Sequence, residues 1–212
     1  MIQLYLCLSF NNFMKKSLLS SLVILMTFPA CSQTYGELIQ LERDSINKVF
    51  SDYEQSILTD EDLEGFSGVH FYDADAKFRV EAKFRKKLFG KKFKMMTSTK
   101  RTPVYKPYGK LKFELEGKKY RLTLYQNMEP RYIAAGEVYL FLPFTDITSG
   151  GESYGGGRYL DFTLEEIENP IIDFNVCYNP YCAYNHKYSC PIPPLENHLD
   201  TEIRAGVKKW ID

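Results

Sequence analysis

The sequence predicts a mainly β domain (α+β at the margin), an antiparallel barrel or sandwich with one N-terminal amphipathic helix. Three observations carry that prediction. From residue 66 onward the period changes to two, with apolar residues recurring at every second position in several short runs. Glycine, proline and asparagine separate those runs at short intervals. Only residues 36–58 keep a helical period over several turns.

The first 31 residues contain no Asp or Glu, and Lys15 and Lys16 precede the apolar run Leu18–Met26. A basic start, a short apolar core and small residues after it describe a secretory signal; the core is too short for a spanning helix. Met14 is a natural start for it, which makes residues 1–13 a candidate for a mis-called start. The signal ends in Phe28, Pro29, Ala30, Cys31 and Ser32. A small residue before a cysteine resembles a bacterial lipoprotein box, with Cys31 lipidated. Cleavage by the ordinary signal peptidase is the alternative. Acyl chains on Cys31 would hold firmly, since each buried methylene adds about 0.8 kcal/mol. The expected location is the cell envelope, lipid-anchored on the periplasmic side of the membrane.

Residues 32–35 read as a short polar tether, and residues 36–212 as a single domain. Leu38, Leu41, Ile46, Val49, Phe50, Tyr53 and Ile57 recur at spacings of three and four, with charged residues between them. Thr59 then reads as the N-cap of one more helical turn. In Lys77–Arg85, Phe78, Val80, Ala82 and Phe84 share one face while charged residues take the other. Lys110–Glu116 and Lys119–Tyr125 alternate on either side of Gly117 and predict a hairpin. Glu137–Phe144 is apolar on both faces, which places it centrally in the sheet. Arg158–Thr163 and Ile171–Tyr178 supply two more strands, and Asp200–Trp210 leans towards strand over helix.

Beyond position 31 the chain has a net charge of −2, with 25 basic against 27 acidic residues. That balance gives no electrostatic footprint for nucleic acid. The run Lys83–Lys94 is locally basic and reads as a solvated loop between strands, with contact to anionic lipid headgroups as the alternative.

Two stretches stand out chemically. Asp173–Asn197 holds three cysteines, four prolines and four tyrosines, and no helix could run through it. Gly150–Arg158 is glycine-rich, but it precedes a strand and lacks the Lys-Ser/Thr of a phosphate cradle. It reads as a turn with positive φ leading into a bulged strand.

Together with Phe66–Gly68, Leu142–Asp146 and Ser153–Asp161, this segment resembles the bacterial and archaeal domain-of-unknown-function family 1684. The family pattern reads Tyr-Gly-x-Gly-Arg-Tyr-Leu-Asp, then Asp-Phe-Asn-x-x-Tyr-Asn-Pro-x-Cys-Ala-Tyr/Phe, then Cys-Pro-x-Pro-Pro-x-Glu-Asn. Tyr154, Arg158, Asp161, Asn175, Tyr178, Asn179, Cys182, Cys190, Glu196 and Asn197 match its fixed positions. The resemblance spans about residues 36–210. It implies one fold unit and one site, and brings no activity with it.

The three late cysteines admit three readings. In an oxidising envelope Cys182 and Cys190 would pair, worth roughly 2–3 kcal/mol for so short a loop. The resembled family also has members without export signals, where such thiols stay reduced. Cys177, Cys182, His186 and Cys190 make a complete tetrahedral zinc set on paper. The family pattern leaves positions 177 and 186 free, so no metal is expected, nor any other cofactor. A nucleophilic thiol at Cys182 or Cys190 would need a nearby base or cation, with Arg158, Glu196 and Asn197 as candidates.

Tyr159 and Asp161 share one strand face, and Asp173 and Asn175 share another. Should those strands pair, their polar groups and the Arg158 guanidinium would line one pocket. Alternatively they bond the backbone of the Pro-rich segment. The leading functional expectation is a non-catalytic module for small-ligand binding or envelope maintenance. Its ligand-binding residues would be Tyr154, Arg158, Asp161, Asn175, Tyr178, Asn179 and Asn197. The alternative is a small-molecule hydrolase with Glu196 or Asp161 as acid/base and Cys182 or Cys190 as thiol. Expected partners are a membrane, through the lipid anchor, and a small molecule or envelope protein.

Overall fold

The structure, a computed structural model, describes residues 33–130 and 138–210. The signal segment, Cys31 and the start of the predicted strand 137–144 lie outside them.

Helix α1 (Tyr35–Phe50) begins one residue before its predicted start because Thr34 forms a full capping box. Its hydroxyl accepts from the Glu37 N–H, and the Glu37 carboxylate accepts from the Thr34 N–H at 2.6 Å. The helix stops at Phe50, short of the predicted residue 58. Asp52 accepts from the Glu54 N–H at 2.9 Å, a local turn that competes with helical continuation. Leu38, Leu41 and Val49 stay exposed; Ile39 and Arg43 are the buried contacts of the helix. Arg43 lies over the Phe71 ring, and Asn47 accepts from the Val69 N–H at 2.8 Å. Helix α2 (Asp60–Glu64) is capped by Thr59 as predicted.

Among the described residues the sheet has eight strands: β1 (Arg79–Lys86), β2 (Phe93–Lys94), β3 (Val104–Leu115), β4 (Lys118–Asn127), β5 (Leu140–Asp146), β6 (Arg158–Phe162), β7 (Ile171–Asp173) and β8 (His198–Leu199). The order is β6-β5-β4-β3-β1-β7, with β2 added to β3 and β8 to β5. All pairs are antiparallel except β5–β8. The sheet curls into a half barrel, which fulfils the predicted mainly β class. In the β3–β4 hairpin Leu115 pairs with Lys118, and Glu116 and Gly117 both take positive φ, 49° and 76°. Such a turn matches the twist of the flanking strands. Strand β5 lies between β4 and β6, as its two apolar faces predict.

The two faces of the sheet bury different side chains. One carries Leu111, Phe113, Leu122, Leu124, Leu142 and Phe144, and packs against Ile172, Phe174, Leu199 and Ile203. The predicted dry face of β1, Val80, Ala82 and Phe84, joins this cluster. The other face carries Tyr105, Tyr125, Phe141 and Tyr159, packed with Met95. An irregularity in β3 between Pro107 and Gly109 lets Tyr105 belong to one face and Leu111 to the other.

Two strand predictions need correction. Ile171–Tyr178 is extended only to Asp173; Phe174–Val176 is a single 3-10 turn, closed when Asp173 accepts from the Asn175 N–H. Asp200–Trp210 forms no strand beyond a bridge between Val207 and Phe71. Side chains satisfy much of its backbone instead of a ladder.

Candidate functional site

Strand β6 begins with Arg158, whose side chain is completely buried. The glycine before it is part of the reason. Gly157 has φ 84°, and a Cβ there would lie 2.6 Å from the Phe144 carbonyl oxygen. The backbone therefore runs flush against β5 and turns the guanidinium inward. Arg158 donates to Asp146 at 3.0 Å, to the Ile203 carbonyl at 2.8 Å and to the Ala205 carbonyl at 2.5 Å. Its guanidinium also lies over the Phe144 ring, 5.4 Å from the centroid. Asp146 accepts in turn from Thr148 Oγ1 and from the Ile203 N–H, both at 2.8 Å. Burial alone would lower the Arg158 pKa, but Cys177 and Asp146 beside it outweigh that and raise it. The glycine-rich loop thus leads into a strand, as expected, and the arginine ties the C-terminal segment to the sheet.

Three amides of the predicted ligand set do similar work elsewhere. Asn197 accepts from the Thr123 N–H and donates to the carbonyls of Thr123 and Pro143, at 2.7–2.8 Å. Asn175 accepts from the Asp75 N–H and donates to the Asp75 carbonyl and the Tyr35 hydroxyl. Asn179 donates to the Lys208 carbonyl at 2.9 Å. Arg158, Asn175, Asn179 and Asn197 therefore line no shared pocket. The strands carrying Asp161 and Asp173 do not pair, since β6 joins β5 and β7 joins β1 at the far end of the strand order. A bridge between Tyr159 and Tyr178 is the point where the two segments meet.

That bridge brings Tyr178 to Asp161. The carboxylate of Asp161 accepts from the Tyr178 hydroxyl at 2.5 Å and from the Tyr139 hydroxyl at 2.6 Å. Asp161 is exposed as a residue, yet its carboxylate sits deep enough against the tyrosines for burial to raise its pKa. The two hydroxyls pull the other way, and burial wins. Tyr125, Phe141 and Asp161 stand opposite one another on β4, β5 and β6. Two strand spacings put Asp161 and Tyr125 roughly 10 Å apart along that row. At its far end Glu196 accepts from the Tyr125 hydroxyl at 2.6 Å. Burial and these carboxylates raise the phenol pKa values of Tyr125, Tyr139 and Tyr178, so all three stay protonated donors.

Cys182 and Cys190 form a separate group beside this face. The Cys182 N–H donates to Cys190 Sγ at 3.2 Å, and the Tyr154 hydroxyl lies 3.8 Å from Cys182 Sγ. Ser98 Oγ accepts from the Cys190 N–H at 3.2 Å. The Tyr159 hydroxyl donates to the carbonyl of Pro191, next in the chain. The Cys190 thiol donating to Cys182 lowers the Cys182 pKa and raises its own. Both thiols are free and buried.

The four zinc ligands drawn on paper do not assemble. Cys177 is buried on the opposite face, 3.6 Å from the Ala205 carbonyl, and His186 sits on an exposed turn. Among the described residues no cluster of three His, Cys, Asp or Glu is placed to hold a metal. Arg158 and Asn197 likewise do not reach the Cys182–Cys190 pair. Asp146, Tyr125 and Tyr139 were missed by the sequence reading. Asp146 closes a matched segment and Tyr139 alternates with Phe141 along the predicted strand 137–144, so those signals were present; Tyr125 joins them only through the β4–β5 pairing.

No curated protein matches the chain significantly. In the solution NMR structure of an uncharacterized protein from Haloarcula marismortui the fold recurs with a TM-score of 0.61 and 34% sequence identity, over 81% of this chain and 92% of that one. The family model described as "Protein of unknown function (DUF1684)" matches residues 64–208. That match takes in the Arg158 anchor, the tyrosine–carboxylate row and the cysteine pair, and the chain belongs to this family.

Proposed function

We propose that this chain is an envelope lipoprotein whose domain is a non-catalytic small-ligand-binding module, using the tyrosine-rich face between Asp161 and Glu196. One observation carries the reading. Asp161 occupies an exposed position on β6, with its carboxylate held by two tyrosine hydroxyls beside buried aromatic rings. Arg158, Asn175, Asn179 and Asn197 of the matched pattern are committed to backbone. Paired acceptors over aromatic rings suit a ligand with hydroxyl or cationic donors and an apolar ring face.

A binding module fits better than a hydrolase. Cys182 has Cys190 and Tyr154 for neighbours, whereas Asp161 and Glu196 are bonded to other tyrosines. No acid/base carboxylate is in contact with a thiol in those bonds.

The test is a panel of neutral sugars and quaternary amines, followed by thermal shift on wild type, Asp161→Asn and Tyr178→Phe. A shift in wild type that both variants lose supports the site; an unchanged shift in both overturns it. Turnover of any probe that disappears in Glu196→Gln or Cys182→Ser would establish the hydrolase. The anchor is checked by labelling cells with a fatty-acid analogue, and equal labelling of wild type and Cys31→Ala excludes lipidation at Cys31.

A further inference from the structure

The loop from β1 to β2 combines two features that are unfavourable in water alone. Leu88 is 75% exposed and Phe89 is 92% exposed, adjacent at the loop tip. Around them Lys83, Arg85, Lys86, Lys87, Lys91, Lys92 and Lys94 bring seven positive charges and no negative one within twelve positions. Among the described residues none of the seven has an ion-pair partner.

The tip is held out by its base. The Lys87 N–H donates to the Tyr108 carbonyl at 2.8 Å, and Lys86 Nζ lies over the Tyr108 ring, 5.2 Å from its centroid. Gly90 passes so close to the Pro107 carbonyl that a side chain there would collide with it. Phe84 and Tyr108 stack on each other nearby, yet Leu88 and Phe89 do not fold back onto them. An open cleft of about 650 Å³ beside the loop places Lys83 and Lys86 next to Phe84 and Tyr108.

We propose that this loop docks the domain onto an anionic lipid bilayer. Leu88 and Phe89 would enter the boundary between headgroups and acyl chains, while the lysines meet lipid phosphates. Charge complementarity selects the occupant: clustered lysines are attracted by the negative surface of an anionic membrane. An aliphatic and an aromatic side chain at the tip add an interfacial anchor that a purely ionic partner would not use. The proposal does not depend on Cys31. It gives the domain a second attachment, in line with the general need for two signals in stable membrane binding.

Residues 33–212 form a compact unit holding both faces of the sheet, so they suit a test without the acyl group. Co-sedimentation is measured with phosphatidylglycerol-containing vesicles and with pure phosphatidylcholine vesicles, at low and high salt. Binding should be at least about tenfold stronger to the anionic vesicles and should fall with salt. The double change Leu88→Ser/Phe89→Ser should weaken it by about tenfold or more with no change in melting temperature, because neither side chain contributes to the core. Lys91→Gln/Lys92→Gln should weaken anionic binding alone. Equal binding to both vesicle types, no binding to either, or wild-type binding by the Leu88/Phe89 variant would each overturn the proposal. So would polyglutamate that binds the domain in the absence of vesicles and loses that binding in the Leu88→Ser/Phe89→Ser variant, since the apolar tip would then serve an acidic protein. Failure here leaves the Asp161 site and the Cys31 anchor untouched, because neither is used in the assay.

Discussion

The guanidinium of Arg158 lies 3.0 Å from the carboxylate of Asp146, and both side chains are wholly closed to solvent. Removing one member of a buried, hydrogen-bonded pair leaves the other charge without compensation, at a cost of about 3–5 kcal/mol. Arg158→Met should therefore lower the urea unfolding free energy of residues 33–212 by that amount. It also strips the carbonyls of Ile203 and Ala205 of their donor. Replacing Asp146 by Leu in the same chain should recover part of the loss. A single-variant cost below about 1 kcal/mol would show that the pair does not hold the C-terminal segment.

Asn197 serves as a three-point clamp between the 195–197 turn and two strands, β4 and β5. Asn197→Ala leaves the buried Thr123 N–H and two carbonyls without that partner, for at least about 2 kcal/mol. Asn197→Asp keeps an acceptor for the N–H but turns a carboxylate towards two carbonyls. It should be no more stable than the alanine variant in a thermal melt. Rescue by Asp would mean that the N–H bond alone matters.

The Cys182 and Cys190 sulfurs are adjacent enough for oxidised glutathione to join them. The two thiols give up two protons and two electrons to the glutathione disulfide as their own S–S bond forms, and the oxidant leaves as two reduced thiols. Intact mass should fall by about 2 Da, and Cys182→Ser should abolish the change. Cys177, against the Ala205 carbonyl, should remain free throughout. A wild type that shows no mass loss, or a glutathione adduct at Cys177, would refute this pairing.

Asp161 sets a pH dependence whose sign follows from its environment. Burial raises its pKa in the folded chain above the unfolded value, so the folded state holds the proton to higher pH. Its contribution to stability is complete below the unfolded value of about 3.9 and is lost as pH rises through the folded value. Wild type should gain stability relative to Asp161→Asn as pH falls from about 7 towards about 4. Denaturant melts at several pH values measure it. The opposite slope would mean that the Tyr139 and Tyr178 hydroxyls dominate.

Much of the architecture was legible because its cause is local. The alternation in β1, β3 and β4, the Gly117 turn, the Thr59 cap and the two apolar faces of β5 depend on neighbours a few positions away. The predicted end of α1 overshoots because Tyr53 and Ile57 continue the helical spacing beyond Phe50, although Tyr53 is exposed and Ile57 is buried from outside the helix. Apolar spacing marks a face without showing that anything covers it. The turn that ends α1 rests on one carboxylate, Asp52, which periodicity does not register.

The sequence by itself determined the family pattern, the existence of strands β1, β3, β4, β5 and β6, and the residues around which the domain is organised. Only the tertiary structure decided what those residues do. Asp161 meets Tyr178 because the curled sheet brings a strand and a loop together at Tyr159, while Asn175 is carried away with β7. Arg158 reads as a ligand group in one dimension and is a buried anchor in three, bonded to Ile203 across 45 positions. Local periodicity says which way a side chain leaves its own strand. What waits on that side depends on closing long loops around a shared core, and that choice belongs to the whole chain at once.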